Sequence, residues 1–409
     1  MNILIMAQHY APEEVSGAVL ATELATDLVK CGHKVSFITC APNYPEGKVF
    51  SGYRNSLVSK EKLDGVNVIR TWSYISPRKT FWRRILNFGT FSVGAFFTAL
   101  VAGKPNIILS FSPPLPLGIS AWILSRFWNV PWILRVEDLY PEAAVAMGVL
   151  RNHITISLLS AVERFLYHHA NHISLISEGF RENLLSKGIP LEKLSVIPVW
   201  GDPNNIPVLP KENNFRQGHG LHDKFLVIYA GNLGHTSALE EVILAAERLS
   251  GVPDTKFVII GEGVKKSALE KLTLQKMLDN VLFLPYQPRP IFAEELAAAD
   301  VGLVTLNKNS SKSSLPSKIF NIMASGRPIL AVAPLESEVC KLAEEGGCGV
   351  CVPPGHPDLI ANAILELKRN KNQLKDMGTR GRLWLETHFS RNGCVNMYET
   401  MLKRVARWG

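Results

Sequence analysis

Short apolar runs alternate along the chain with longer segments of helical periodicity. Seven runs in the first half predict β-strands, at residues 2–7, 34–39, 66–71, 106–111, 132–136, 172–176 and 194–197. Six more follow in the second half, at residues 225–230, 256–261, 281–284, 301–305, 328–332 and 348–352. Continuous apolar strands separated by helices are typical of parallel sheets that helices cover on both faces. The pattern predicts an α/β protein with two doubly wound sheets.

The segment 198–224 separates the two halves. It is rich in Pro, Asn, Gly and His and has neither period, which is typical of a domain junction. A length of 409 residues also exceeds one ordinary domain. We therefore expect Rossmann-like domains at 1–200 and 201–385, facing each other across a cleft. A final helix at 386–409 is expected to cross back to the first domain.

Composition excludes several classes of protein. Hydrophobic residues make up 46% of the chain and charged residues 20%, which excludes a mainly disordered or fibrous chain. Six scattered cysteines argue against a secreted disulfide scaffold and favour a reducing, cytoplasmic compartment. Cys348 and Cys351 form a CxxC pattern, but they lie in an apolar run that reads as a buried strand. The N-terminus has the pattern of a first strand and lacks the basic region of a signal peptide.

The net charge of +8 is concentrated in an acid-free stretch at residues 65–136. This stretch holds eight basic residues: Arg70, Arg78, Lys79, Arg83, Arg84, Lys104, Arg126 and Arg135. Phe81 and Trp82 precede an uncharged apolar run at 85–103, whose polar residues and glycines favour an ordinary helix over a membrane span. Adjacent basic and aromatic residues predict docking on an anionic membrane surface.

Two strand-to-helix turns contain small residues that suit a phosphate. Gly17 and Ala18 follow the first strand of the first domain. Gly231, Asn232 and Gly234 follow the first strand of the second. Small residues let the backbone approach an anion, and the next helix offers free N–H groups.

A third element is more specific. The run Pro316-Ser317-Lys318 predicts the start of a helix, with Asn321 one turn on and Gly326 near its end. A lysine at the positive end of a helix is electrostatically unfavourable unless an anion binds there. Lys318 is therefore a candidate anion-binding residue.

Taken together, the motifs cover nearly the whole chain. They are Gly17-Ala18, Gly32-His33, Pro42 to Pro45, Gly52-Tyr53-Arg54, Asp138 to Glu142, Ser177 to Phe180, Ile197 to Trp200, Tyr229 to Asn232, Gly261 to Gly263, Pro316 to Lys318 and Ala324 to Pro328. On these residues the sequence resembles the retaining GT-B glycosyltransferases of family 4. It is most similar to the branch that builds bacterial capsule, colanic-acid-type and O-antigen units, which includes fucosyl- and fucosaminyl-type transferases.

The resemblance implies transfer of a hexosyl group from a nucleotide-diphosphate sugar, with UDP and GDP both open. The acceptor is a glycan or a saccharide linked to a polyprenyl diphosphate, bound by the first domain, while the second holds the nucleotide. Lys318 is then the main diphosphate cation, with His235 as its helper, and Asp138 orients the acceptor hydroxyl. We expect an enzyme on the inner face of the plasma membrane, with no cofactor and no nucleic-acid partner. No Asp-x-Asp motif is present, so no metal is expected either.

Several positions depart from the family pattern. Ser314 and Asn321 stand where the wider family has two glutamates, and Glu137 stands where related sequences have an arginine. Arg135 lies two residues earlier, which leaves open whether it supplies that charge. Asp138 also has an alternative interpretation as a helix N-cap.

Two other functions remain as alternatives. One is a sugar-nucleotide epimerase of the same fold, which needs convergent acids and a histidine. The other is a membrane adaptor without catalytic activity, favoured by the missing glutamates.

Overall fold

The seven apolar runs of the first half lie in one eight-stranded sheet, to which a further edge strand belongs. The computed structural model describes residues 1–78, 80–146, 148–308 and 315–407; Lys79, Ser314 and the last two residues of the expected C-terminal helix lie outside this part of the chain. The strands of the first unit are β1 Asn2–Met6, β2 Lys34–Cys40, β3 Val58–Leu63, β4 Val66–Thr71, β5 Ile107–Ser112, β6 Trp132–Val136, β7 His172–Leu175 and β8 Leu194–Val196. Their order is β3-β4-β2-β1-β5-β6-β7-β8, and all neighbouring pairs except β3 and β4 are parallel.

Strand β3 is absent from the sequence-based expectation. It lies at the sheet edge, and its residues are exposed or half-buried, so it carries lysine and glutamate instead of an apolar run. A hairpin joins it to β4 through Asp64 and Gly65, which have φ angles of 48° and 84°. Two positive φ angles suit the tight turn of a β-hairpin, and Asp-Gly is its usual sequence. The Asp64-Gly65 dipeptide is the feature of the sequence that could have predicted this hairpin and, with it, strand β3.

Helices cover the first sheet. They are α1 Ser16–Lys30, α2 Phe81–Ala102, α3 Leu115–Trp128, α4 Glu142–Ala146, α5 His153–His169 and α6 Glu178–Ser186, with a short 3-10 turn at Leu191–Lys193. The last helix of the chain, α15 Arg391–Ala406, packs within this unit, which comprises Met1–Val199 and Asn392–Gly409. Glu399 on α15 contacts His33 at 3.1 Å, and Arg404 contacts His172 at 3.0 Å.

The second unit, Trp200–Arg391, contains a parallel sheet of six strands. The strands are β9 Phe225–Ala230, β10 Thr255–Ile260, β11 Val281–Leu284, β12 Val301–Thr305, β13 Ile329–Val332 and β14 Gly349–Val352, in the order β11-β10-β9-β12-β13-β14. The helices are α7 Asn214–Gly218, α8 Leu239–Arg248, α9 Lys266–Gln275, α10 Arg289–Ala297, α11 Lys318–Ala324, α12 Glu338–Glu345, α13 Pro357–Arg369 and α14 Lys371–His388. Cys348 lies directly before β14 and Cys351 lies within it, and both are free thiols.

Both sheets reverse their strand order at the first strand of the unit. In the first unit β1 lies between β2 and β5, and in the second β9 lies between β10 and β12. At such a switch point the connections leave toward opposite faces, so a crevice opens beyond the carboxyl ends of the strands. The loops after these strands are therefore where ligands are expected in each unit.

Candidate functional site

Lys318 begins the short helix α11 of the second unit. The apolar side chains of this helix are buried against the sheet and its neighbours: Ile319, Phe320, Ile322 and Met323. Lys318 and Asn321 are half-buried and lie one helical turn apart on the remaining face. The pattern of apolar positions thus places the lysine at the edge of the core.

The Lys318 ammonium lies over the ring of Tyr229, with Nζ 3.5 Å from the ring centroid. It also lies against Gly231, because a Cβ built on that glycine would be 2.9 Å from Nζ. The negative face of an aromatic ring attracts a cation. The Tyr229 hydroxyl donates to the Asn232 carbonyl at 2.8 Å, so the same residue also holds the loop after β9. Loop 231–234 and the start of α11 consequently form one site.

The charge of Lys318 is not neutralised by a carboxylate in the described part of the chain. Burial lowers the pKa of Lys318 to about 7. A buried ammonium without a counter-ion is unfavourable, and a bound anion favours its charged form. The site is therefore suited to an anionic group such as a diphosphate.

The loops after β9 and β10 touch through glycines. Gly231 and Gly261 have φ angles of +146° and +145°, and a Cβ on Gly261 would lie 2.0 Å from the Gly231 carbonyl oxygen. The Gly231 N–H donates to the Ile260 carbonyl at the end of β10, and the Leu233 N–H donates to the Glu262 carbonyl in the loop after it, each at 2.9 Å. Two of the four N–H groups of loop 231–234 are therefore engaged within the protein. The N–H groups of Asn232 and Gly234 have no partner among the described residues, so they are available to a phosphate.

The other residues predicted for the donor have different surroundings. Pro316 and Ser317 are half-buried directly before Lys318. The Asn321 side-chain amide forms no hydrogen bond with the described residues, so it is free to meet a ligand hydroxyl. His235 is exposed, and its carbonyl accepts from the Asn307 amide at 2.7 Å. A role for the His235 ring therefore stays a prediction.

Asp138 lies in the first unit, two residues beyond β6. Helix α4 begins at Glu142, so Asp138 is not its N-cap, and the alternative interpretation is wrong. Burial, and then the charge of Glu137, raise the pKa of Asp138 to about 7. Within the described residues no hydrogen bond engages its carboxyl group. A carboxyl group with this pKa changes charge near neutral pH, as a group that binds a hydroxyl and its proton should.

Glu137 is brought against the first loop, a role that the sequence pattern does not reveal. A Cβ on Gly17 would lie 3.6 Å from Glu137 Oε2, so the glycine lies beside this carboxylate. Burial raises the pKa of Glu137, and the charges of Arg135 and His9 reduce that effect. The signal available in the sequence was an acidic residue ending a long acid-free stretch. Ala18 is fully buried, and its role as a donor contact stays a prediction.

Arg135 is a structural residue. Its guanidinium is buried and donates to the Ser174 hydroxyl and the Leu175 carbonyl at 3.0 Å each, and to the Ile197 carbonyl at 2.7 Å. The guanidinium therefore joins β6 to the strands beside it. It does not take the place of the family arginine before Asp138.

Metal-ligand geometry does not occur in the described ranges: no group of three or more His, Cys, Asp or Glu side chains there is arranged to hold an ion. The candidate functional groups are therefore the half-buried Lys318 beside the glycine loops of the second unit and the titratable carboxyl group of Asp138 in the first unit.

Comparison with known proteins agrees with this chemistry. The description "Glycosyl transferase 4-like domain" matches residues 17–200, and "Glycosyl transferases group 1" matches residues 211–384. The putative colanic acid biosynthesis glycosyl transferase WcaI of Escherichia coli (strain K12) is 29% identical over 373 residues, which cover 89% of this chain and 91% of WcaI. The probable glycosyltransferase WbjE of Pseudomonas aeruginosa is 30% identical over 274 residues, covering 65% and 67% of the two chains.

A solved structure shares the fold. Anabaena HepE in complex with UDP-glucose superimposes with a TM-score of 0.74 at 15% identity, and the match covers 99% of this chain and all of HepE. The chain has two Rossmann-like units, and a glycosyltransferase family description matches each of them. A glycosyltransferase relative is also 30% identical to it. These observations establish the family. The chain belongs to the family-4 glycosyltransferases of the GT-B fold.

Proposed function

We propose that the protein is a retaining hexosyltransferase that uses a nucleotide-diphosphate sugar. Its acceptor is a glycan or a saccharide linked to a polyprenyl diphosphate, in bacterial surface polysaccharide synthesis. The observation that carries the proposal is Lys318, a half-buried cation held between the Tyr229 ring and Gly231, with no carboxylate partner among the described residues. The relative WcaI, described as a colanic acid enzyme, supports the polysaccharide, and HepE with UDP-glucose supports the nucleotide sugar.

In the proposed reaction the bond between the sugar C1 and the diphosphate oxygen breaks. The acceptor oxygen bonds to C1 on the same face, and the acceptor proton passes to the departing diphosphate. Lys318 and the Asn232 and Gly234 N–H groups stabilise the charge that develops on the diphosphate. The Asn321 amide oxygen accepts a hydrogen bond from a ribose hydroxyl, and Asp138 orients the hydroxyl of the saccharide acceptor. No protein nucleophile is required.

Incubation with a panel of nucleotide sugars tests the function. The panel contains UDP-glucose, UDP-N-acetylglucosamine and GDP-fucose, with and without saccharide acceptors, and free nucleoside diphosphate is measured. A transferase releases it, fastest with the correct acceptor, and the product keeps the anomeric configuration of the donor. Interconversion of two sugars without release favours an epimerase. Neither release nor interconversion favours an adaptor.

Transfer should persist in excess EDTA, because the proposed site stabilises the diphosphate with a lysine and N–H groups. The rate after incubation with EDTA and gel filtration is compared with the rate in added Mg²⁺ or Mn²⁺. A loss of transfer that either ion restores would show that a metal holds the diphosphate.

We further propose that the first unit docks on an anionic membrane surface. Among the described helices, Trp82–Ala102 is long and apolar enough to cross a membrane, and 28% of its most apolar window is buried. Its inner face is buried at Phe91, Ala95 and Ala99. Trp82 is 73% exposed and Phe97 61%, on the opposite stripe. A helix with one buried face and one exposed apolar stripe suits the membrane interface better than a span.

Helix α3 packs beside α2 and also exposes an apolar side chain. The Ser120 hydroxyl of α3 donates to the Ser92 carbonyl of α2 at 2.9 Å, and Phe127 near the end of α3 is 70% exposed. Arg83 and Arg84 lie at the start of α2. Because basic residues border the apolar stripe, the occupant that fits it is a bilayer with anionic headgroups.

Binding to vesicles that contain anionic lipid should fall when Arg83 and Arg84 are both changed to glutamate. Each basic residue near such a surface contributes ~1 kcal/mol, and salt should weaken binding by screening it. Co-sedimentation measures the bound fraction. Lys371→Glu with Lys375→Glu, two exposed positions on α14, makes the same charge change and serves as control. Equal binding to neutral vesicles would contradict the proposal.

A further inference from the structure

The loop after β1 holds a histidine and a glutamate in direct contact, and the proposed mechanism uses neither. His9 Nδ1 lies 2.7 Å from Glu13 Oε2. The two side chains differ in exposure: the His9 side chain is 31% exposed, whereas that of Glu13 is 1% exposed. One partner of the pair is therefore fixed inside the unit, and the other faces outward.

Glu13 is held by the loop after β2. Its Oε1 accepts the Asn43 N–H at 2.7 Å and the Tyr44 N–H at 2.8 Å. Burial alone would raise the pKa of Glu13, but the hydrogen bond to His9 and the two N–H groups help to outweigh burial, and the pKa is lowered. Glu13 is thus a fixed carboxylate. Two backbone N–H groups already satisfy Oε1, so Oε2 is left to orient the histidine.

This contact determines which ring nitrogen of His9 carries the proton. A carboxylate beside Nδ1 keeps the proton on that nitrogen, which leaves Nε2 as a hydrogen-bond acceptor. No side chain or backbone group of the described residues forms a hydrogen bond with Nε2. The Tyr44 ring contacts the imidazole edge to face, with centroids 5.3 Å apart, and steadies its orientation.

His9 also lies near the acidic pair at the end of β6. The imidazole lies within electrostatic range of Glu137, the neighbour of Asp138 in sequence and of Gly17 in space. The three loops after β1, β2 and β6 meet at the carboxyl edge of one parallel sheet. His9, Glu137 and Asp138 thus offer hydrogen-bond acceptors to the same region of the first unit. A set of acceptors suits a ligand rich in hydroxyl groups.

We infer that His9 binds a hydroxyl of the saccharide acceptor through Nε2, and that Glu13 is the positioning residue that keeps its ring in this tautomer. The inference rests on the proposed function, because it takes the ligand of the first unit to be a saccharide. No bond is made or broken at His9. The residue sets the affinity and orientation of the acceptor.

The test compares variants with the acceptor that supports transfer by the unchanged protein. His9→Ala should raise the KM for that acceptor roughly 3- to 10-fold, as expected for loss of one oriented hydrogen bond, and leave the dissociation constant of the nucleotide sugar unchanged. His9→Gln, whose amide reaches the Nε2 position, should recover part of the loss. His153→Ala, at an exposed histidine of the same unit, serves as control. An unchanged acceptor KM in His9→Ala, with transfer intact, overturns the inference and leaves the proposed function standing.

A double variant tests the positioning role of Glu13. Glu13→Gln should raise the acceptor KM in the same direction as His9→Ala, and combining the two should add no further loss. Multiplied effects would overturn the positioning role. Thermal unfolding of each variant identifies a loss caused by misfolding.

The ring nitrogens report on His9 without any activity. NMR of the full chain with ¹⁵N-labelled histidine should show His9 protonated at Nδ1 and unprotonated at Nε2, and Glu13→Gln should change that pattern. The opposite tautomer overturns the inference. If the unchanged protein transfers no sugar, the proposed function is contradicted. The NMR measurement of the tautomer still tests whether Nε2 of His9 is a hydrogen-bond acceptor.

Discussion

Lys318→Ala should lower kcat/KM for the nucleotide sugar by roughly 30- to 1,000-fold, because one oriented charge partner of a leaving group contributes roughly 2 to 4 kcal/mol. The ammonium fills the space between Tyr229 and Gly231, and no carboxylate of the described residues competes for it. Steady-state kinetics of transfer and titration with the nucleotide sugar measure the loss. Lys375→Ala, at an exposed lysine of the same unit, should behave like the unchanged protein. Normal kinetics in a folded Lys318→Ala protein would remove the residue from the site.

The affinity for the nucleotide sugar should also depend on pH through Lys318. Burial lowers its pKa to about 7, so the free protein loses this charge as the pH rises above 7. Binding must then be accompanied by uptake of a proton, and affinity falls by at most tenfold per pH unit. Lys318→Ala should abolish that dependence. Isothermal titration at pH 7, 8 and 9 in buffers of different ionisation enthalpy measures both the affinity and the proton.

Asp138→Asn should reduce transfer by roughly 100-fold, within the range for a positioned acid or base, while the donor dissociation constant stays the same. The change keeps the size of the side chain and removes its ability to become charged. In the unchanged protein the rate should rise with pH through about 7, where burial and the Glu137 charge place the pKa of Asp138. The variant should lose this limb of the pH profile. Asp64→Asn, in the exposed β3–β4 turn, provides the same chemical change as a control.

Thermal stability distinguishes this role from a structural one. The folded protein holds the Asp138 proton more tightly than the unfolded chain, so ionisation of this group costs stability as the pH rises from about 4 to about 7. Asparagine removes that cost. The melting temperature of Asp138→Asn at pH 8 should therefore be equal to or slightly above that of the unchanged protein. Full activity together with a lower melting temperature would identify Asp138 as a structural residue.

The buried strands were predictable because two-sided burial leaves a local trace. A strand of a parallel sheet covered on both faces needs apolar residues at consecutive positions, as in β1 and β9, where nearly every residue is buried. Strand β3 has no such trace, because an exposed edge needs no apolar run. The anion site was predictable for a similar reason. The Lys318 helix start and the Gly231 turn are each encoded within a few neighbouring residues.

Contacts between distant residues were not predictable. That Tyr229 supports the Lys318 ammonium depends on the placement of α11 beside β9, two elements about 90 residues apart in a parallel sheet of this order. Arg135 was an open candidate for a charge near Asp138, but its side chain joins β6 to β7 and to the residue that follows β8 instead. The local sequence does not show whether the Arg135 side chain lies near Asp138 or bonds to neighbouring strands.

The amino-acid sequence by itself determined the two doubly wound domains, the glycine turns, the lysine at a helix start and the acid after β6, because each depends on residues close together in the chain. Only the tertiary structure decided which polar groups remain available. It buried Ala18, bonded the Gly231 N–H to the end of strand β10, and set His9 against Glu13 near Glu137. The physical reason is that hydrogen bonding and desolvation depend on every atom around a group, and packing brings most of those atoms from remote parts of the chain.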